Sequence, residues 1–185
     1  ALTAFQALRD LAKVKAGHKV YLHGASGGVG VYAIQIAKAM GAEVTASCSY
    51  RNTDRLLALG ADKVIDYTKE DIVKVPGKFH LFYDIYGNQS YGKSKHLLTS
   101  RGYYVSTIPS PANFLASFFT FFARKKAKVV LVKSLTKDLD DLSQMIEKEQ
   151  LKSVIDQVFT LKEAVKAQEY LETRRAKGKI LLEIR

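Results

Sequence analysis

Cysteine is almost missing from this sequence. Cys48 is the one thiol among 185 residues, which excludes a disulfide within the chain and leaves a reducing cytoplasm as the expected compartment. Metal-ligand spacing is missing as well. The four histidines, at positions 18, 23, 80 and 96, form no i,i+4 pair, and Cys48 has no partner thiol, so a zinc ligand set is excluded and no metal is expected. No apolar run approaches the ~20 residues that cross a bilayer, and no signal peptide opens the chain; no membrane partner is expected. Repeats and low-complexity tracts are absent. Methionine is absent from position 1, where Ala1 stands inside a helical pattern running from Leu2 to Ala12. That start reads as a piece of a longer protein.

What is present is an ordinary globular composition, 47% apolar and 25% charged. The net charge of +11 comes from scattered basic residues, with small clusters at Arg124-Lys125-Lys126-Lys128 and Arg174-Arg175. There is neither a basic tail nor the aromatic–basic signature of an RNA-binding sheet, so solvated faces account for it and no nucleic-acid partner is expected.

Strand and helix patterns alternate with little filler. Strands are expected at 19–23, 43–48, 63–66, 79–84, 103–108 and 128–132. Helices are expected at 28–40, 53–59, near 90–99, near 112–123, and at 136–149 with Leu135, Leu139, Leu142 and Ile146 on one face. Such alternation implies parallel pairing through right-handed crossovers. The fold class is therefore α/β, a doubly wound parallel sheet (Rossmann fold) of about six strands. Residues 1–150 form the expected nucleotide-binding domain. Residues 151–185 form a strand–helix–strand segment, with Val154–Phe159, a capping box at Thr160–Glu163 and Lys179–Ile184. The stretch Phe114 to Phe122 holds five phenylalanines and suits core, dimer interface or substrate wall, core or interface being favoured.

The most informative stretch is Lys19 to Gly30, an apolar run that stops at Gly24-Ala-Ser-Gly-Gly-Val-Gly30. Val29, Ala33, Ile36, Ala37 and Met40 then repeat at helical spacing, so the turn delivers the chain into a helix N-terminus. Free N–H groups and a partial positive charge there suit a pyrophosphate. A Cβ at Gly27 or Gly28 would hold the backbone away from that anion, and Gly30 lets the helix pack close to the strand. The G-x-G-x-x-G template falls on Ala25, Gly27 and Gly30, a weak signal alone.

An acid is missing where an NAD-specific fold places one, after the second strand. That place reads Ser47-Cys48-Ser49-Tyr50-Arg51-Asn52, with no carboxylate before Asp54. Small hydroxyls beside Arg51, with Arg55 a turn later, suit the 2′-phosphate of NADP instead; the alternative is that both arginines decorate a helix start. Two rival motifs are present. Gly87 to Ser94 fits the phosphate-loop pattern G-x-x-x-x-G-K-[ST], but the only acid ending a later strand is Asp156. Tyr91-x-x-x-Lys95 mimics a short-chain reductase pair, one βα unit too early. His23 reads as a structural residue ending a strand.

Leu2-Thr3-Ala4, Gly24 to Gly30, Leu59-Gly-Ala-Asp62 with Val64-Ile-Asp-Tyr67, and Gly178-Lys-Ile-Leu-Leu182, in that order, resemble the medium-chain dehydrogenase/reductase superfamily. The zinc-free quinone oxidoreductase branch is the most similar. The resemblance implies the cofactor domain and C-terminal segment of a two-domain oxidoreductase, preceded in the family by a GroES-like catalytic domain. Such enzymes move hydride from NADPH to a quinone, enone or other activated carbonyl compound. It implies that Ser26, Gly27, Gly28, Val29 and Gly30 meet the pyrophosphate, Ser49 and Arg51 the 2′-phosphate, and Tyr67 the adenine-ribose end. Ser106, Thr107 and also Thr3 are implied near the nicotinamide, and the sixth-strand edge at 129–132 is implied in a homodimer. The sequence departs from the family at Asn52, where a lysine is usual nearby, and at Asp84-Ile-Tyr-Gly-Asn88, where Asp-x-Val-Gly-Gly is usual. No catalytic residue is assigned. A non-catalytic nucleotide-binding or interaction module stays open as the second reading.

Overall fold

Runs rich in valine, isoleucine, tyrosine and phenylalanine suit the pleated, buried strands of a parallel sheet. The computed structural model describes residues 1–173 and 176–184, so the Arg174-Arg175 pair lies outside the described residues. The strands are β1 (Lys19–His23), β2 (Glu43–Cys48), β3 (Lys63–Asp66), β4 (Phe79–Asp84), β5 (Leu98–Ser106) and β6 (Lys126–Val129). They pair in parallel in the order β3-β2-β1-β4-β5-β6, the doubly wound arrangement expected from the alternation.

Alternate side chains along each strand supply the two cores. Val20, Leu22, Leu81 and Tyr83 pack with α2 (Gly30–Ala39) and with α1 (Leu2–Gln6), which continues as a π-helical turn over Ala7–Leu11. Tyr21, Phe82 and Tyr104 form the opposite face. Their rings lie 4.9 Å and 6.0 Å apart, stepwise across β1, β4 and β5, which welds the middle of the sheet. The remaining helices before the C-terminal segment are α3 (Thr53–Ala58), α4 (Tyr91–Ser94), α5 (Pro111–Phe119) and α6 (Thr136–Glu147). β7 (Ile155–Thr160), α7 (Ala164–Glu172) and β8 (Lys179–Glu183) follow, the two strands forming a separate parallel sheet.

Several expected boundaries move. β5 begins at Leu98 rather than 103, because Phe79 of β4 already pairs with Leu98; the expected helix near 90–99 shrinks to α4 and a single turn, Lys95–Leu97. β6 is Lys126–Val129 rather than 128–132, because its partner β5 ends at Ser106, opposite Val129. The five phenylalanines are not core. α5 buries none of its residues, and Phe121 and Phe122 beyond it are exposed too. On α6 only Leu142 of the expected apolar face is buried, while Leu135, Leu139 and Ile146 stay exposed.

α1 is fastened to α6 by a buried polar knot. The Gln6 Nε2 donates to Asp138 Oδ2 at 2.6 Å and to the Lys133 carbonyl at 2.7 Å, and the Arg9 guanidinium lies 2.7 Å from Asp138 Oδ1. The hydrogen bond from Gln6, then that from Arg9, holds the Asp138 carboxyl below its ordinary pKa despite its burial. With the folded value depressed, the stability it contributes is present above the ordinary ~3.9 and is lost as pH falls through the lower folded value. We therefore expect Asp138→Asn to lower the melting temperature at pH 7 and to flatten the acid limb of a stability–pH curve, measured by thermal denaturation from pH 7 to about 3.

Candidate functional site

Strand order reverses between β1 and β4, and the carboxyl ends of these strands open onto a cleft, the usual ligand position of such sheets. The chain leaves β1 through Gly24, at φ +76°, where a β-carbon would stand 2.7 Å from that of Tyr86. It enters α2 at Gly30, where a β-carbon would lie 2.3 Å from the Ala25 carbonyl oxygen. Both glycines are required by packing. Gly27 is different: a β-carbon there would meet no atom within 4 Å, so the turn presents bare backbone to open space. At Gly28 it would touch the Gly178 carbonyl and the Lys179 ammonium, each at 3.4 Å. Val29 occupies the N-cap of α2 and no side chain caps the helix. The Val31 amide donates to the Gly27 carbonyl at 3.2 Å, and no side chain takes up the other amides at this helix start.

In front of this turn lies a pocket of about 720 Å³. Ser26, Gly27, Ser49, Arg51 and Tyr67 line it together, although they come from three separate strand ends. Gly28, Val29 and Gly30 stand behind that lining, Gly30 being buried. Ser106 and Thr107 are not in the lining. Ser106 is fully buried, its hydroxyl accepting from the Ile108 amide and the Asn113 amide group at 3.2 Å each. Thr107 Oγ1 donates to the Ile85 carbonyl at 2.8 Å. The Thr3 carbonyl accepts from the Tyr83 hydroxyl at 3.4 Å. Arg55 is not in the lining, and its guanidinium packs against Gly178.

The lining also includes residues that the sequence did not mark, among them His23, Tyr86, Asn88 and Lys177. His23 is more than a strand end. Its Nδ1 is 2.9 Å from the Ser47 hydroxyl and its Nε2 is 2.7 Å from Asn88 Oδ1, so it ties the ends of β1 and β2 to the loop after β4. Burial lowers its pKa, and the ring is neutral at pH 7. Asp84 anchors the same loop: its carboxylate accepts from the Gly87 amide at 2.8 Å, the Gln89 amide at 3.0 Å and the Tyr104 hydroxyl at 3.0 Å. Asn88 and Tyr86, the departures from the usual family sequence, thereby become pocket wall.

The charged residues of the lining are of one sign. Arg51 and Lys177 line it, and no Asp or Glu does. This suits phosphate groups and leaves nothing there to accept from a ribose 2′-hydroxyl as an acid does. The phosphate-loop reading of Gly87 to Ser94 is overturned. The segment winds around Asp84, a β-carbon on Gly87 would overlap Ile108 at 2.0 Å, and the helix that follows has four residues, too few for the sustained N-terminus that a phosphate loop feeds. Tyr91 of the reductase-like pair is spent on the Lys125 carbonyl at 3.2 Å. Burial pushes the Cys48 thiol up to about 11, which leaves it without thiolate character. Among the described residues no three His, Cys, Asp or Glu side chains converge on a metal position, and none of the described helices is long and apolar enough to cross a membrane.

Comparison with known proteins follows the same lines. The family described as zinc-binding dehydrogenase matches residues 59–182. A trans-enoyl reductase, pgmF, of Aspergillus terreus is 36% identical over 99% of this chain, which spans 56% of that relative. The structure of the quinone oxidoreductase from Coxiella burnetii superposes with a TM-score of 0.88 at 33% identity, over 100% of this chain and 58% of that one. The Escherichia coli quinone oxidoreductase complexed with NADPH gives 0.78 at 28% identity, over 98% of this chain and 61% of that one. The chain thus spans little more than half the length of these proteins.

Two substitutions test the architecture of the cleft. Gly30→Ala forces α2 off the end of β1, and Asp84→Ala leaves two amides and a buried hydroxyl without their acceptor. Each is expected to cost about 3 kcal/mol in urea unfolding, whereas a change below about 0.5 kcal/mol would show that the contact is dispensable.

Proposed function

The chain belongs to the zinc-binding dehydrogenase family, in the quinone oxidoreductase-like branch of the medium-chain dehydrogenase/reductase superfamily, and on that premise we propose that it is the NADPH-binding part of an oxidoreductase. The observation that carries this reading is the bare turn at Gly27 opening on a pocket that, among the described residues, has two cations and no carboxylate. In this reading the amides from Ser26 to Gly30 hold the pyrophosphate at the uncapped end of α2. Arg51, with the Ser49 hydroxyl, holds the 2′-phosphate, and Tyr67 flanks the adenine-ribose end. Lys177 adds positive charge from the C-terminal segment. The residues present therefore fit a dinucleotide phosphate. They do not assemble a zinc site, and no step is derived through a metal.

A reduced nicotinamide supplies the hydride, and the protein's part is to place and orient it. Asp84 and His23 do this indirectly, by fixing the loop from Ile85 to Gln89 that closes the pocket's far side. Ser106 and Thr107, committed to α5 and to the same loop, shape the nicotinamide end from behind. The acceptor is a quinone, an enone or another activated carbonyl compound, by similarity to relatives whose names are quinone oxidoreductase and trans-enoyl reductase.

Exposure supports the proposed domain division. Residues 1–150 make the coenzyme domain, and 151–185 return toward a catalytic domain of the GroES-like kind. Val158, Val165, Leu181 and Ile184 of that segment are exposed, an apolar face that such a domain would cover. The outer edge of β6 ends the sheet and is free to pair with its copy in a homodimer. With half of the substrate pocket in the other domain, the 185-residue chain binds coenzyme and turns over little.

Titration by the fluorescence of the reduced nicotinamide tests the reading. We expect NADPH to bind at least about tenfold more tightly than NADH, and Arg51→Ala to weaken NADPH by about tenfold while leaving NADH unchanged. Equal affinities for the two coenzymes in the wild-type chain would remove the 2′-phosphate assignment.

A further inference from the structure

Asn88 brings a side chain to the pocket wall at a position where glycine is usual in the family. Both its backbone and its side chain are held. The amides on either side of it, those of Gly87 and Gln89, donate to the two carboxylate oxygens of buried Asp84 at 2.8 Å and 3.0 Å. Its Oδ1 lies 2.7 Å from Nε2 of His23 and accepts from Nε2 of Gln89 at 3.1 Å. A group fixed in this way loses little freedom when a ligand arrives.

The tautomer of His23 decides which end of the Asn88 carboxamide is left over. Burial keeps the ring neutral at pH 7, so it carries one N–H. Oδ1 can only accept, which places that hydrogen on Nε2. Nδ1 then accepts from the buried Ser47 hydroxyl, 2.9 Å away. Ser47, His23 and Asn88 thus form a directed chain of hydrogen bonds across β2, β1 and the loop after β4. At its end both hydrogens on Nδ2 of Asn88 remain, and among the described residues nothing accepts from them. The pocket takes its lining from the ends of β1 to β4 and from the C-terminal segment and, among the described residues, none of it from the end of β5. In the coenzyme reading this is the adenosine half, since Arg51 and Tyr67 belong to it and Ser106 and Thr107 do not.

We propose that Asn88 is a coenzyme-binding residue whose Nδ2 donates to an acceptor atom of the adenosine half, and that His23 is the positioning residue that turns this donor end toward the ligand. The assignment rests on the coenzyme reading above and adds to it. The acceptor lies in the part that NADPH and NADH share, so Asn88 strengthens the binding of both, whereas Arg51 separates them. A glycine at this position has no side chain with which to make the contact.

Calorimetric titration of the full chain with NADPH, NADH and adenosine 2′,5′-bisphosphate decides it. Asn88→Ala is expected to weaken all three by about fivefold. Asn88→Asp keeps an acceptor for His23 but replaces the donor with an anion, and should weaken them by about tenfold or more. Because Asn88 is exposed, both variants should melt within a few degrees of the wild type. His23→Ala should weaken NADPH by a factor similar to that of Asn88→Ala and add nothing when the two are combined. Nitrogen NMR of the wild-type imidazole at pH 7, which needs no variant to fold, should show His23 protonated at Nε2 and bare at Nδ1. Unchanged affinity of Asn88→Ala, or a loss not shared by all three ligands, overturns the proposal and leaves the coenzyme reading in place. A wild-type chain that binds none of the three removes both. A proton on Nδ1 of His23 would turn the Asn88 oxygen outward and overturns the proposal as well, and a further loss on adding His23→Ala to Asn88→Ala removes the positioning role.

Discussion

Where α2 begins, backbone meets backbone. A β-carbon on Gly30 would lie 2.3 Å from the Ala25 carbonyl oxygen, and one on Gly24 would lie 2.7 Å from the β-carbon of Tyr86. Two crowded glycines hold the turn between them, and the one at position 27 is consequently thrust into open space. The uncapped helix start, the bare backbone in front of it and the loop after β4 then share one cleft. Relaxing either crowded contact would swing α2 away from β1 and disperse the amides that face the pocket. Close approach of helix to strand is the condition on which the proposed anion site rests.

The rest of the cleft is fixed by polar groups that serve geometry rather than chemistry. Asp84, fully buried, is surrounded by three donors, so its charge is satisfied within the wall of the site and not offered to a ligand. His23 bridges Ser47 and Asn88 in the same manner. Among the described residues, the groups left facing the pocket with charge are cations, Arg51 and Lys177. A cleft that spends its acid on its own scaffold and exposes positive charge suits phosphate groups.

Legibility in the sequence followed the range of the interactions involved. β1 to β4 could be bounded from the chain alone, because apolar runs ended by Gly, Asn and Asp are local signals. The glycine turn and the missing acid after β2 were legible for the same reason. β6 starts two residues and ends three residues earlier than expected because its extent is set by where β5 stops, a tertiary fact. The phenylalanines of α5 read as core or interface, a choice left open because composition reports how apolar a helix is and not what covers it. Lys177 reaches the pocket only through the folding back of the C-terminal segment, and no spacing rule connects it with Gly27. His23 could be placed at a strand end, but its partners Ser47 and Asn88 become neighbours only in the sheet.

The role of the turn can be separated from its structural duty at Gly27, which has open space where Gly30 has none and whose φ is not positive. Calorimetric titration of Gly27→Val with NADPH, alongside its melting curve, tests the coenzyme site most directly. The account predicts an unchanged melting temperature within a few degrees and a Kd raised at least about tenfold. A variant that melts like the wild type and binds NADPH equally well would contradict it.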